Sequence, residues 1–135
     1  MVYVTRRERF SAAHRLFNPA LNDEENFKLY GLCSNPNWHG HNYVLEVVVC
    51  GEVDSNTGYL LDLKILKEII RKNVIEKVDH KNLNIETDFM QGIIPSAENI
   101  TTAIWKVLVD KIPKGKLYSV KIYETENNYF EYKGE

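Results

Sequence analysis

Four histidines occur in the chain, and the spacing of two of them suggests a metal site. His39 and His41 flank a single glycine, and side chains two apart on an extended strand point to the same face, so both imidazoles can bind one ion. With His14 as a third ligand, a tetrahedral Zn²⁺ would keep one open position, which is typical of a catalytic site. The His39–His41 pair alone is equally compatible with surface residues at a strand entrance. A histidine in the position of His14, taken alone, is more often a core residue than a metal ligand.

Cys33 and the adjacent Asp79 and His80 could transfer protons. A thiolate is a competent base when a nearby cation or metal lowers its pKa, and a histidine exchanges protons near pH 7 when a carboxylate orients it. Spacing alone favours plainer interpretations, with Cys33 a small buried hydrophobe and Asp79 the cap of a turn. Cys50 is interpreted as packing, and two cysteines without a Cys-x-x-Cys pair disfavour structural zinc.

Glu124 closes an otherwise apolar row. On a regular strand it shares a face with Tyr118, Val120 and Ile122, so its carboxylate is placed to point inward. A buried carboxylate needs hydrogen-bond donors, and a ligand with several N–H groups, such as an amino-pyrimidinone ring, would supply two in parallel. The row could equally end in solvent at Glu124.

The hydrophobic pattern predicts the elements that must position these residues. Strands are indicated at residues 2–10, running on toward His14, and at 41–51, 117–124 and 129–133, with Asn127 and Asn128 in a hairpin turn. The apolar face of one helix, starting at the N-cap Asp62 and ending near Asp79, contains Leu63, Leu66, Ile70 and Val74. The apolar face of a second, capped by Ser96, contains Ile100, Ile104, Val107 and Leu108.

Residues 18–37 show neither period and are predicted to form a long loop. The order strand, strand, helix, helix, strand, strand predicts an α+β fold, with a four-stranded antiparallel sheet covered on one face by two helices.

Length and composition bound the remaining possibilities. A chain of 135 residues is long enough for one domain, which we place at residues 1–135. The net charge of -2 does not indicate a nucleic-acid surface, although a small phosphorylated ligand needs only a local cluster of Lys and Arg. No apolar stretch suits a signal peptide or a membrane span, so we expect a cytoplasmic protein with free thiols and no membrane partner.

Five segments resemble, in order, the motifs of the 6-pyruvoyl-tetrahydropterin synthase family. They are residues 10–16 (FSAAHRL), 33–43 (CSNPNWHGHNY), 79–83 (DHKNL), 96–99 (SAEN) and 123–128 (YETENN). The resemblance covers essentially the whole chain. It implies the tunnelling fold (T-fold), in which sheets of several subunits join into a barrel, usually in a homohexamer built as a dimer of trimers. Active sites of the family lie between subunits, so Cys33 and the Asp79–His80 pair would come from different chains.

The resemblance also implies a role for each candidate residue. The zinc ligands would be His14, His39 and His41, the catalytic base Cys33, the proton relay Asp79 with His80, and the pterin site Glu124 with Ser96 and Ala97. Two positions depart from the family pattern. Trp38 stands where many relatives have a smaller residue, which implies a narrower pocket mouth. Ala97 lacks the hydroxyl that some relatives place in the pterin pocket.

The implied activity is that of a zinc-dependent lyase acting on 7,8-dihydroneopterin triphosphate. One branch of the family eliminates triphosphate to give 6-pyruvoyl-tetrahydropterin, in tetrahydropterin biosynthesis. Another, in queuosine biosynthesis, makes 6-carboxytetrahydropterin and loses the side chain as acetaldehyde. The five residues between Cys33 and His39 resemble the first branch, as does the run from Glu124 to Asn128. A metal-dependent hydrolase and a non-catalytic, zinc-stabilised pterin-binding module remain as alternatives of other classes.

Overall fold

A computed structural model describes residues 1–135 and contains one five-stranded sheet. The strand order is β3-β1-β2-β4-β5. The strands are β1 (Val2–His14), β2 (His39–Gly51), β3 (Lys81–Asn82), β4 (Lys116–Thr125) and β5 (Asn128–Tyr132). The four long strands pair antiparallel as the sequence predicts, which confirms the α+β fold. The two-residue β3 pairs parallel with β1 and is too short to leave a hydrophobic pattern.

The two predicted helices begin at the expected cap residues. Asp62 accepts a hydrogen bond from the Lys64 amide at 2.8 Å, and Ser96 accepts one from the Asn99 amide at 3.2 Å. Helix α2 (Leu63–Ile70) continues through a π-helical turn (Arg71–Ile75) into α3 (Glu76–Val78), and α4 spans Ala97–Leu108. None of the helices is long and apolar enough to cross a bilayer.

A further helix, α1 (Asp23–Tyr30), lies within the segment predicted to be a loop, so that prediction is wrong in this part. The helix depends on its N-terminus and not on an apolar face. The side chain of Asn22 accepts from the Glu25 amide, and the Glu25 side chain accepts from the Asn22 amide, which together form a capping box. Only Asn26 of the helix is buried, so a search for apolar periodicity could not detect it.

The segment from α2 to α3 and helix α4 cover one face of the sheet and form the core with it. Both helical segments contribute residues at intervals of four to this core, as a 3.6-residue period requires. These fully buried residues are Leu66, Ile70, Val74, Ile100, Ile104 and Leu108, and they join Leu45, Val47, Val120 and Ile122 of the sheet. Leu63 does not belong to the buried face, because it is 53% exposed.

A β-bulge near the start of β4 corrects one sequence prediction. In the pairing with β2, Ser119 opposes Val48 and Leu117 opposes Val49, so Tyr118 is an extra residue without a partner. Tyr118 is therefore 37% exposed and does not share the inner face with Val120. Val120 and Ile122 lie on the inner face after the bulge. Glu124 follows them at a second register shift, in the pairing with β5, and its carboxylate still lies on the side of His14.

Candidate metal and proton-transfer site

The three proposed zinc ligands converge at one end of the β1–β2 pair. His14 is the direct partner of His39 in the antiparallel register, and His41 lies opposite Ala12 on the same face. The ring centroid of His14 lies 4.5 Å from that of His39 and 5.1 Å from that of His41. The centroids of His39 and His41 are 5.0 Å apart. The ligand-capable atoms all lie within 4.8 Å of one another. Strand register alone therefore gathers the cluster.

Each ring has one buried nitrogen without a hydrogen-bond partner: Nε2 of His14, Nδ1 of His39 and Nε2 of His41. The Nδ1 atom of His14 lies 2.7 Å from the Pro95 carbonyl oxygen. Because a carbonyl only accepts, Nδ1 must carry the proton, which leaves the Nε2 lone pair free. Buried polar atoms are rarely left unpartnered, and three imidazole nitrogens are a ligand set that Zn²⁺ accepts. The cluster thus fits a metal ion.

Burial favours the neutral form of two of the rings, His14 and His39. Desolvation is the main cause that lowers the pKa of His14 to about 4, and the positive charges that His39 and His41 would carry act in the same direction. The hydrogen bond to the Pro95 carbonyl acts in the opposite direction. The pKa of His39 is lowered for the same first reason, desolvation. Neutral imidazoles are the form that binds metal, so these rings are ready to act as ligands at pH 7.

Glu124 and Tyr43 border the cluster. The Glu124 Oε2 atom lies 4.0 Å from His14 Nε2, and the half-buried carboxylate accepts no hydrogen bond from the chain. The Tyr43 hydroxyl lies 3.5 Å from His14 Nδ1, and burial, followed by the charge of Glu124, raises the pKa of this phenol. Sequence reasoning missed Tyr43. The signal was present, because Tyr43 is two residues after His41 on the same strand face.

Asp79 and His80 contact each other where α3 ends. Asp79 Oδ1 lies 3.1 Å from His80 Nδ1 and accepts a hydrogen bond from the Ser11 amide at 2.9 Å. These contacts, with the Ser11 amide the stronger, hold the pKa of Asp79 below its usual range. His80 has φ of 60°, a left-handed conformation, and its side chain is 83% exposed. It borders an open groove that also includes His41, although no hydrogen bond or ion pair joins the two.

Cys33 is exposed, so the interpretation of it as a buried hydrophobe is wrong. It lies in a 3₁₀ helix (Gly31–Ser34), and its carbonyl accepts a hydrogen bond from the Leu16 amide at 2.7 Å. No hydrogen bond joins the thiol to the histidine cluster. Cys50 is buried at the end of β2, in agreement with a packing role.

The start of α4 lies beside the cluster, because the Pro95 carbonyl contacts His14. Ser96 Oγ accepts from the Asn99 amide as the helix cap, and Ala97 is buried in the first turn. The structure therefore brings His14, His39, His41 and Glu124 together, with Ser96 and Ala97 adjacent. It leaves Cys33 and His80 exposed on separate turns.

Comparisons with known proteins identify relatives over the whole chain. The family described as 6-pyruvoyl tetrahydropterin synthase matches residues 3–135. The 6-pyruvoyl tetrahydrobiopterin synthase of Pongo abelii is 47% identical over 132 residues, which are 98% of this chain and 91% of that protein. The solved structure of Caenorhabditis elegans 6-pyruvoyl tetrahydropterin synthase has a TM-score of 0.93 at 40% identity, covering 99% of this chain and 96% of the other. The 6-carboxy-5,6,7,8-tetrahydropterin synthase of Rickettsia conorii is only 28% identical, over 97% of this chain and 99% of that protein.

Proposed function

Because the chain belongs to the 6-pyruvoyl tetrahydropterin synthase family, we propose that it is a zinc-dependent lyase that converts 7,8-dihydroneopterin triphosphate into 6-pyruvoyl-tetrahydropterin and triphosphate. The observation that carries the chemistry is the convergence of three imidazoles, whose ligand-capable nitrogens lie within 4.8 Å of one another, beside an inward carboxylate. Each of the three rings also has one buried nitrogen without a hydrogen-bond partner. The single domain at residues 1–135 holds every residue that the proposal uses.

The choice of product rests on similarity. Identity is 47% to the Pongo abelii 6-pyruvoyl tetrahydrobiopterin synthase and 28% to the Rickettsia conorii 6-carboxy-5,6,7,8-tetrahydropterin synthase. The spacing between Cys33 and His39 supports the same choice. The 6-carboxytetrahydropterin product of queuosine biosynthesis is the second candidate, since it comes from the same substrate.

His14, His39 and His41 would hold the zinc ion, and the Pro95 carbonyl fixes the tautomer of His14 that presents Nε2. When bound, Zn²⁺ supplies a Lewis acid that makes the side-chain hydroxyls of the substrate, and the adjacent C–H, more acidic. Desolvation of His14 and His39 favours the neutral form of these two rings, the form that binds a metal.

Glu124 would anchor the pterin ring. Its carboxylate has no hydrogen-bond donor from the chain, so it is free to accept two parallel hydrogen bonds from ring N–H groups. Its position 4.0 Å from His14 Nε2 would place the ring next to the metal. The backbone near Ser96 and Ala97 would complete the pocket, without a hydroxyl at Ala97. Such positioning is worth several kcal/mol of barrier, roughly the magnitude credited to orientation in general.

Cys33 would take a proton from the substrate side chain, and His80 would return one. Asp79 orients the His80 ring through the 3.1 Å contact. Because thiol and imidazole are exposed on separate turns, we propose that a homohexamer, a dimer of trimers whose sheets join into a barrel, closes each site between subunits. We place the protein in the cytoplasm, since a cysteine base must stay reduced.

Identification of the product tests the proposal. The zinc-loaded protein is incubated with 7,8-dihydroneopterin triphosphate, and the pterin formed is identified by mass spectrometry. We expect 6-pyruvoyl-tetrahydropterin with one equivalent of triphosphate. Acetaldehyde and 6-carboxytetrahydropterin would establish the second candidate. Phosphate release without rearrangement of the pterin would establish a hydrolase, and binding without turnover would establish a binding module. Cys33→Ala, with its zinc content measured, serves as the control.

A further inference from the structure

We propose that Arg15 is a positioning residue whose side chain fixes the turn carrying Cys33 relative to the histidine cluster. The inference rests on the proposed function, because Arg15 would act on the reaction only through Cys33. It is distinct from metal binding and from contact with substrate.

Residues 15 and 16 hold the Cys33 turn by two consecutive hydrogen bonds. The Arg15 guanidinium donates from Nη2 to the Ser34 carbonyl at 2.7 Å. The Leu16 amide donates to the Cys33 carbonyl, also at 2.7 Å. Because Arg15 directly follows His14, these bonds connect a ligand of the cluster to the thiol-bearing turn through two residues of chain.

The backbone of Arg15 is itself fixed. The Asn84 side chain accepts from the Arg15 amide at 3.0 Å and donates to the Arg15 carbonyl at 3.1 Å. This pair of bonds continues the edge of β1 beyond its last strand residue. The guanidinium therefore extends from a backbone that cannot shift easily, and so it can hold the Cys33 turn in a fixed position.

The same guanidinium contacts the residue that precedes His39. Its central carbon lies 4.0 Å from the ring centroid of Phe17 and 5.6 Å from that of Trp38. Trp38 has φ of 66°, which is unusual for a bulky residue and requires support from its surroundings. Arg15 thus contacts the residue that follows Cys33, Ser34, and the residue that precedes His39, Trp38.

Arginine suits this position better than lysine does. A planar guanidinium can stack on an aromatic ring and donate a hydrogen bond in its own plane, whereas an ammonium is a point charge on a flexible stem. No carboxylate lies within ion-pair distance of Arg15, so its contacts with the carbonyl and the aromatic rings are the ones that define its place. Arg15→Lys should therefore keep the charge and lose the position.

The test compares Arg15→Lys and Arg15→Ala with the wild type. We expect kcat to fall about 10- to 100-fold in both variants, since a misplacement near 1 Å has this effect, with KM changed by no more than about two-fold. Zinc should remain at one ion per chain. Amide hydrogen exchange should be faster in residues 31–38 and unchanged in β2 beyond His41. Arg7→Lys is the matched control on β1, because Arg7 pairs with Glu46 on exposed surface.

Several results would overturn the role of Arg15. An unchanged kcat in both variants is one. A rise in KM in place of the fall in kcat would indicate that Arg15 binds substrate, and a fall in kcat without faster exchange in residues 31–38 would show that the turn has not moved. Loss of zinc in Arg15→Lys would also overturn it. If the wild type makes no pterin product, the proposed function fails. The exchange and zinc measurements would still show whether Arg15 holds the Cys33 turn in place.

Discussion

The histidine cluster and the residues proposed to transfer protons are built in opposite ways. His14, His39 and His41 lie on two hydrogen-bonded strands, and the direct pairing of His14 with His39 fixes their separation. Cys33 and His80 lie on turns and are exposed. A metal site needs fixed distances between neutral ligands, which a buried strand pair provides within one chain. Groups that meet a substrate must stay accessible until the site closes.

The two regions also differ in their electrostatics. Desolvation dominates at the cluster and lowers the pKa of His14 and His39. At the turn after α3, hydrogen bonds dominate and lower the pKa of Asp79. The first environment favours neutral ligands, and the second keeps a charged carboxylate beside an imidazole that it can orient.

Removal of one cluster ring should give the largest effect. We expect His41→Ala to lose zinc on dialysis and to lower turnover at least about 1000-fold, because a Lewis acid contributes several kcal/mol to the transition state. His41 is only partly buried, so the variant should still fold. Metal content per chain and turnover are the measurements. The matched control is His80→Ala, which should retain its zinc, and a His41→Ala variant with full zinc content would contradict the assignment.

Removal of a proton-transfer group should separate activity from metal binding. Cys33→Ala and His80→Ala are each expected to lower turnover about 100- to 10,000-fold, the usual contribution of general acid–base catalysis. Because Cys33 is exposed, its removal should change the free energy of unfolding by less than about 0.5 kcal/mol. Urea titration and zinc analysis of the two variants check both points. Full activity in Cys33→Ala would eliminate the thiol as the base.

Mixing the same two variants tests whether one site draws on two chains. If Cys33 and His80 of one site come from different subunits, random assembly of an equal mixture should leave about a quarter of all sites with both residues, and these sites should be active. If both residues come from one chain, every mixed oligomer stays inactive. Unmixed variants refolded separately and then combined are the control.

Acidification should reveal the cost of burying His14. Its folded pKa of about 4 lies below the ordinary value of 6.5, so the unfolded chain binds the proton first as the pH falls. The prediction concerns protein stripped of metal by a chelator. The contribution of neutral His14 to the free energy of unfolding is complete above the pKa of the unfolded chain, 6.5, and is lost as the pH falls toward the folded pKa of about 4. The loss should reach roughly 3 kcal/mol, since one pKa unit is worth about 1.4 kcal/mol.

Urea unfolding of the chelated protein across that pH range measures the slope. The slope should be smaller in His14→Gln, which removes the buried titrating group. A free energy of unfolding that stays constant over the same range would contradict the argument.

The smallest expected effect concerns the backbone at His80. Its φ of 60° favours glycine, so His80→Gly should be more stable than His80→Ala by about 1 kcal/mol. Both variants lack the imidazole and should show the same loss of turnover. Thermal unfolding of the pair provides the comparison. Equal stability would mean that the turn relaxes and that no strain is held at this position.

The sequence predicted much of the fold from local signals. Alternating apolar residues located the four long strands, and Asp62 and Ser96 located the helix starts. It could not locate α1, because this helix depends on the reciprocal hydrogen bonds of Asn22 and Glu25 and presents no apolar face. It misplaced Tyr118, since a bulge breaks the alternation on which the pattern depends.

For the site, the sequence by itself determined the chemistry: three imidazoles, a thiol, a carboxylate–histidine pair and an inward glutamate, in an order that identified the family. Residue types and spacings of one or two residues are local properties, and they fix which groups are available and which face a strand presents. Only the tertiary structure decided that His14 pairs with His39, that the Pro95 carbonyl frees Nε2 of His14, and that Arg15 contacts the Cys33 turn. These contacts join residues far apart in the chain, and strand register and packing, which no local pattern encodes, bring them together.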